Sequence, residues 1–310
     1  MKAVIMAAGQ STRTYPLTLT RPKPLLPVAN KTILEHQLDA LPPSVDGVVL
    51  VVGYRSEMIR ERFGSAYGRL SIEYVEQTER LGTGHAILQC ARYIDEPFLA
   101  MNGDDLYAAA DLARLSQAGQ AALVMIIEDP SLFGIYETTP EGRVIRLVEK
   151  PKEIFSKLAN IGAYVFTPEV FRVLRETPRS ERGEIEITSA IQQLADEDDF
   201  RVVTAEGYWL PIGYPWKLLD ATAYWMDHFF VEGIEGEVSP QATLSGPIFI
   251  GAGTVVKAGA VIEGPVHIGK DCIIGPNCWI RPYSAIGNGC RVGQGSEIKS
   301  SILLDRKSVV

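Results

Sequence analysis

The run IGAGTVVKAGAVIEGPVHIGKDCIIGPNCWI, residues 250–280, repeats every six positions. Ile250, Val256, Ile262, Ile268, Ile274 and Ile280 open successive hexads, and the phase extends back to Leu244 and Val238 and onward through Ile286, Val292, Ile298 and Leu304. If roughly one position in four is aliphatic, twelve such hits in a row are expected about once in ten million trials. Glycine often follows the aliphatic, as in IGAGTV, IGKDCI and IGNGCR. A six-residue period with small residues at the corners specifies a parallel β-helix, with triangular coils and the aliphatics stacked inward. At three hexads per turn, twelve hexads make about four coils.

On one side of the repeat, PWKLLDATAYWMDHFFVEG, residues 215–233, reads as an aromatic-rich helix that joins two halves of the chain and caps the first coil. On the other, the pattern is still running in SSILLDRKSVV. An open coil exposes strand edges, so a helix cut short or a subunit contact is expected there. Up to about residue 232 the period is different. Runs such as KAVIM, GVVLVVG, PFLAMNGD and AALVMIIE alternate with the helical patterns TILEHQLDAL, SEMIRERFG and TGHAILQCARYI. Continuous apolar strands between amphipathic helices indicate an α/β unit with a mostly parallel sheet covered on both faces.

The chain has 310 residues, 46% of them apolar, and a formal charge of -8. That is enough to bury two cores, and the negative balance argues against a general grip on nucleic acid or an anionic membrane. No apolar run is long enough to span a bilayer, and MKAVIMAAG lacks the long apolar core of a signal peptide, so a cytoplasmic protein is expected. Cys90, Cys272, Cys278 and Cys290 lack C-x-x-C spacing and read as buried, reduced thiols. The acidic run ADEDDF, residues 195–200, reads as a solvated loop.

Against that negative background one stretch is cationic. MAAGQSTRTYPLTLTRPKPLLPV, residues 6–28, holds Arg13, Arg21 and Lys23, five serine and threonine side chains and four prolines, and no acid. It follows the strand KAVIM, at the end of the sheet where open α/β folds bind ligands. Gly9 lets backbone approach a ligand, neighbouring N–H groups can form an anion-binding concavity, and the prolines stiffen the segment that carries Lys23. A small anion fits this better than a polymer. The loop is neither a Walker A sequence, which needs a second glycine followed by Lys-Ser/Thr, nor a dinucleotide fingerprint. From composition alone it also reads as an ordinary basic surface loop.

AAGQSTRTYPLTLTRPKPLLPV resembles the signature of the sugar-1-phosphate nucleotidylyltransferases, with Ser11 in place of the family's second loop glycine. The resemblance covers residues 1–232, and the hexapeptide region 236–310 that follows is similar in order to the bifunctional uridylyltransferase/acetyltransferases. It implies a Rossmann-like nucleotidyltransferase domain followed by a left-handed β-helix, trimeric in related proteins. It further implies transfer of a nucleotidyl group from UTP or dTTP to glucose-1-phosphate or N-acetylglucosamine-1-phosphate, with Mg²⁺ and release of pyrophosphate.

By the same resemblance Ala8, Gly9, Ser11, Thr12 and Arg13 hold the triphosphate, and Lys23 offsets charge at the reacting phosphates. In EQTERLGTGHAI, Gln77, Gly82 and Thr83 read the pyrimidine, whereas His85 is structural. Asp104 of MNGDD binds the metal. Gly134, Glu149, Lys150, Asn160 and Gly162 match the sugar-binding positions. Related enzymes often carry a second metal carboxylate two residues after a tryptophan, where this chain has Pro211; Asp220 is within reach in sequence only. Taken singly, these runs also read as a Gly-rich helix entry, an Asn-Gly-Asp turn and a solvated Glu149–Lys150 pair. Two further expectations stay open: an acetyltransferase in the coils, which the absence of any histidine after His267 disfavours, and a non-catalytic regulatory subunit, which Ser11 and Pro211 would suit.

Overall fold

The strand Lys2–Met6 lies in the middle of a ten-stranded sheet, paired on both edges, and its apolar residues are buried on both faces. Ala3 and Ile5 pack in one core cluster and Val4 in the other; Val48, Leu50 and Val52 alternate with Val49 and Val51 in the same way. Gly47–Val52 and Phe98–Asn102 flank the middle strand in parallel, and Leu70–Glu76 extends the parallel part by one strand. Beyond Phe98–Asn102 the sheet changes sense. Leu158–Phe166 runs antiparallel to it; its other edge pairs with Ala121–Ile126, and its first residues, beyond Phe98–Asn102, pair with Gly134–Thr138 on the same edge as that strand. The sheet is therefore mixed, with a parallel centre and an antiparallel flank.

The computed structural model describes residues 1–309, and in it the chain forms two compact units. Met1–Leu25 with Ile33–Pro211 make the sheet unit; Leu26–Thr32 and the chain from Ile212 onward make the other. In the acidic run the helix Ile187–Glu197 continues into the first acids, so ADEDDF is a helix end rather than a loop throughout. Its four acidic side chains are exposed as expected, between buried Ala195 and Phe200.

The second unit contains three parallel stacks of short strands, two of five strands and one of four. Between neighbouring coils the register advances by eighteen residues, as in Ile250 beside Ile268 and Val256 beside Ile274. That is three hexads, the length of one triangular turn. Ile250, Ile262, Ile268, Ile274, Ile280 and Ile286, drawn from all three stacks, are wholly buried in one interior cluster, and Ile250, Ile268 and Ile286 form one column of it. The last coil breaks the rule: Ile286 pairs with Leu303, and Val292 with Val309, a step of seventeen. Leu303 rather than Leu304 therefore carries the column forward, because one residue is lost from the corner after Ile298. The helix Pro215–Phe229 is bound to the flank of the coils, where the Tyr283 hydroxyl donates to Asp227 at 2.9 Å. All four cysteines are free and buried, as expected.

Candidate active site

At the end of Lys2–Met6 the chain leaves the sheet through Ala7, Ala8 and Gly9 and reaches Ser11, whose φ of 55° lies in the left-handed region. That conformation costs a non-glycine residue about 1 kcal/mol or more. It is held by two hydroxyls that donate to the Ser11 carbonyl, Thr14 at 2.7 Å and Thr18 at 3.0 Å. Beyond this point the proline-rich stretch is not featureless: it folds into three single turns of 3₁₀ helix, at Thr12–Thr14, Leu17–Leu19 and Lys23–Leu25. Tyr54 donates from its hydroxyl to the Thr18 carbonyl, and Arg55 donates to that of Leu19. The loop is thus tied to the start of the helix Ser56–Phe63.

The third turn delivers Lys23, which is only 3% exposed, to Asp104; Nζ and Oδ2 are 2.7 Å apart. Asp104 keeps 42% of its side chain in solvent. Gly103 brings Asp104 to this place, since a Cβ there would lie 2.5 Å from the Met6 carbonyl oxygen. Gln37 fixes the turn from behind, donating to the carbonyls of Asn102 and Asp105 at 2.7 Å each. Burial and the neighbouring Asp104 push the Asp105 carboxyl up to about 7.

These residues line a cleft of about 450 Å³, which brings together Ala8, Gly9, Ser11, Arg13, Lys23, Gln77, Gly82, Thr83 and Asp104. Of the expected triphosphate and base residues, only Thr12 is not in its wall. Asn102, Arg80 and Glu184 also line it and were not singled out in the sequence. Arg80 donates to Gln10 of the loop at 2.6 Å. Gly82 has φ 95°, and a Cβ there would lie 2.8 Å from the Ile185 carbonyl oxygen. The turn that starts the helix Thr83–Leu88 is accordingly pressed against residues 184–185.

The expected sugar residues form a second group beside Asn102. Gly134 pairs with Glu149 across the antiparallel strands, and a Cβ on Gly134 would touch both Glu149 and Asn160. Asn160 and Gly162 sit in a β-bulge of Leu158–Phe166, where the register shifts between Asn160 and Tyr164. A bulge re-aims side chains. Here it drives Gly162, φ 79°, so close to Asn102 that no larger residue fits. Lys150 approaches Glu149 at 3.7 Å, and Arg182 lies 3.9 Å from Glu149 and 2.8 Å from Glu186. Burial, opposed by Lys150 and reinforced by Glu186, holds the Glu149 carboxyl above the usual range. Arg182 is the cation that sequence reading missed in this group.

Pro211 pairs directly with Asp105 in the short ladder of Trp209–Pro211 against Asp105–Tyr107. Asp220 is engaged by Lys217 at 2.9 Å and belongs to the other unit. Among the described residues no three His, Cys, Asp or Glu side chains are grouped to hold a metal. Magnesium keeps several waters and takes phosphate oxygens, so one or two carboxylates suffice for it. Asp104, half open to the cleft beside a glycine loop, fits that requirement.

A family model described as nucleotidyl transferase matches residues 2–227, and one for the bacterial transferase hexapeptide (six repeats) matches residues 247–282 and 271–301. The chain is 42% identical to the bifunctional protein GlmU of Methanococcus maripaludis strain C7, over all of this chain and 74% of that protein. It is 36% identical to a glucose-1-phosphate thymidylyltransferase of Streptomyces antibioticus, over 83% of this chain and 74% of that one. Among solved structures, a UDP-glucose pyrophosphorylase complexed with UDP-glucose superposes with a TM-score of 0.66 at 27% identity, over 73% of this chain and 99% of its own.

Proposed function

From the premise that the chain belongs to the nucleotidyl transferase family, we propose that it joins UTP or dTTP to a sugar-1-phosphate, either glucose-1-phosphate or N-acetylglucosamine-1-phosphate, and releases pyrophosphate. The sugar-phosphate oxygen attacks the α-phosphorus in line. That oxygen is already anionic at neutral pH, so no general base is needed, and the protein's work is positioning and neutralising charge. The loop from Ala8 to Arg13 holds the triphosphate. Lys23, presented from a rigid turn, faces the reacting phosphates, and Gln77, Gly82 and Thr83 receive the base. Gly134, Glu149, Asn160 and Gly162 receive the sugar, with Lys150 and Arg182 as cations for its phosphate. Mg²⁺, when bound at Asp104, would neutralise charge on the phosphate oxygens.

The observation that carries this reading is the buried Lys23 paired with Asp104 at 2.7 Å in the wall of a glycine-loop cleft. Without a ligand the two charges satisfy each other. With a polyphosphate and a divalent cation each has a better partner, the lysine the anion and the aspartate the cation. The test is pyrophosphate release with UTP and dTTP against several sugar-1-phosphates. Release that needs both substrates and a divalent cation is expected; no release from any pair contradicts the reading. We further propose a cytoplasmic enzyme that assembles through its coils as a trimer. No helix among the described residues is long and apolar enough to cross a membrane.

A further inference from the structure

Gln77 is only 8% exposed yet lines the cleft, and the hydrogen bonds around its amide have one consistent solution once the neighbouring Gln89 amide is turned over. One amide atom lies 3.1 Å from the Gly82 carbonyl oxygen, which can only accept, so that atom is the nitrogen, Nε2. The same nitrogen lies 3.0 Å from Nδ1 of His85, which must then accept and carries no proton. A neutral imidazole keeps its single proton on the other nitrogen, so Nε2 of His85 donates. Its neighbour at 3.0 Å is Nε2 of the Gln89 amide, a donor like itself, so that amide must be turned over to bring its oxygen there and receive the proton. His85 and Gln89 are four apart in sequence, which sets the imidazole between two amides. One atom is left over. Oε1 of Gln77 accepts no hydrogen bond from any described residue.

We propose that His85 is a positioning residue: it locks the Gln77 amide with its oxygen free for the nucleobase, and so makes the cleft select uracil and thymine, which carry a proton on N3, against cytosine, whose N3 is an acceptor. The inference rests on the reading of this cleft as a nucleoside triphosphate site. Cytosine would bring its N3 against the free oxygen, acceptor against acceptor. Turning the amide to suit cytosine would set Oε1 against two further acceptors, the Gly82 carbonyl and Nδ1 of His85. Either arrangement leaves buried polar groups unpaired, which is costlier than the loss of an ordinary hydrogen bond.

The experiment compares kcat/KM for UTP, dTTP and CTP in the wild type, His85→Phe and His85→Asn. Phenylalanine keeps ring volume without an acceptor, whereas asparagine keeps an acceptor oxygen near the height of Nδ1. The wild type is expected to prefer UTP and dTTP over CTP. The Phe variant should lose about tenfold of that preference, through KM for UTP and not through KM for the sugar phosphate, and the Asn variant should retain most of it. A wild type indifferent to base, an unchanged ratio in the Phe variant, or an Asn variant no better than Phe overturns the proposal while leaving nucleotidyl transfer intact. If the Phe variant does not fold, Gln89→Leu should shift the ratio in the same direction by about threefold, and an unchanged ratio there overturns it equally. A wild type that forms no nucleotide sugar from any of the three triphosphates overturns the functional reading itself, and this inference with it.

Discussion

Lys23 and Asp104 carry the argument at the scale of single residues. Deep burial of an ammonium is tolerated only with a partner at hydrogen-bond distance, and the partner here faces the cleft. Lys23→Ala and Asp104→Ala are each expected to lower turnover by about 10²- to 10³-fold, the usual loss for one phosphate-directed charge. Circular dichroism should show both variants folded at 25 °C, Asp104→Ala with a lowered melting temperature because it leaves the Lys23 ammonium unpaired, and near-normal rates in both would contradict their roles. Ser11 bears on a different question. Its left-handed backbone is one that glycine adopts freely, and two threonine hydroxyls hold it in place. Ser11→Gly should therefore keep activity within about threefold and leave the melting temperature almost unchanged, because relief of strain offsets the greater freedom of the unfolded chain. A collapse of activity on that change would mean the serine hydroxyl takes part in binding.

Among elements, the bulge in Leu158–Phe166 does the most to shape the site. Gly162→Ala would place a Cβ against the amide of Asn102 at a positive φ, and a loss of about 1–3 kcal/mol in stability is expected. KM for the sugar phosphate should rise while KM for the triphosphate holds, measured by steady-state kinetics. Within the coils, His267 faces Asn30, whose Nδ2 donates to Nδ1 of the imidazole and to the Ile286 carbonyl. Burial pushes His267 down to about 4 from an ordinary value near 6.5. The unfolded chain takes up a proton there at pH values where the folded chain does not. Stability is accordingly full above about pH 6.5 and falls between about 6.5 and 4, by roughly 2–3 kcal/mol. His267→Asn, followed by thermal melts across that range, should flatten the fall; an unaltered profile would assign the acid sensitivity elsewhere.

The hexads gave the column Ile250 to Ile286 directly, since a strict period admits only one way of stacking. They did not show the seventeen-residue step onto Leu303, because adjacent Leu303 and Leu304 are both leucine and the pattern cannot tell them apart. The signature run pointed to the cleft wall, but not to its 3₁₀ turns, whose stability comes from hydroxyls and from Tyr54 and Arg55 more than thirty residues away from the carbonyls they hold. Asn102 and Arg80 lay inside runs already picked out for other residues. Glu184 and Arg182 had no local signal at all, since they reach the site from a segment about a hundred residues from Gln77.

For the whole molecule, two hydrophobic systems of different geometry share one chain: a sheet buried on both faces, and a prism filled by aliphatics from its three strand stacks. Outward on the prism, Trp279 is 41% exposed and Ile273 38% exposed, on two of its three faces. Exposed large apolar groups on a regular face suit contacts between copies. Light scattering on purified protein should give about three times the chain mass of 34.0 kDa; a single-chain mass at micromolar concentration would contradict the trimer. The net charge of -8 makes the cleft's cations a local exception, so rising ionic strength should weaken triphosphate binding without changing the melting temperature comparably.

The most direct measurement is a crystal structure with a non-hydrolysable UTP analogue and Mg²⁺. The triphosphate is expected to lie along Ala8 to Arg13 and Lys23, with the cation on Asp104 and the uracil against Gln77. Nucleotide bound away from that wall, or a cleft left vacant at saturating ligand, would contradict the account.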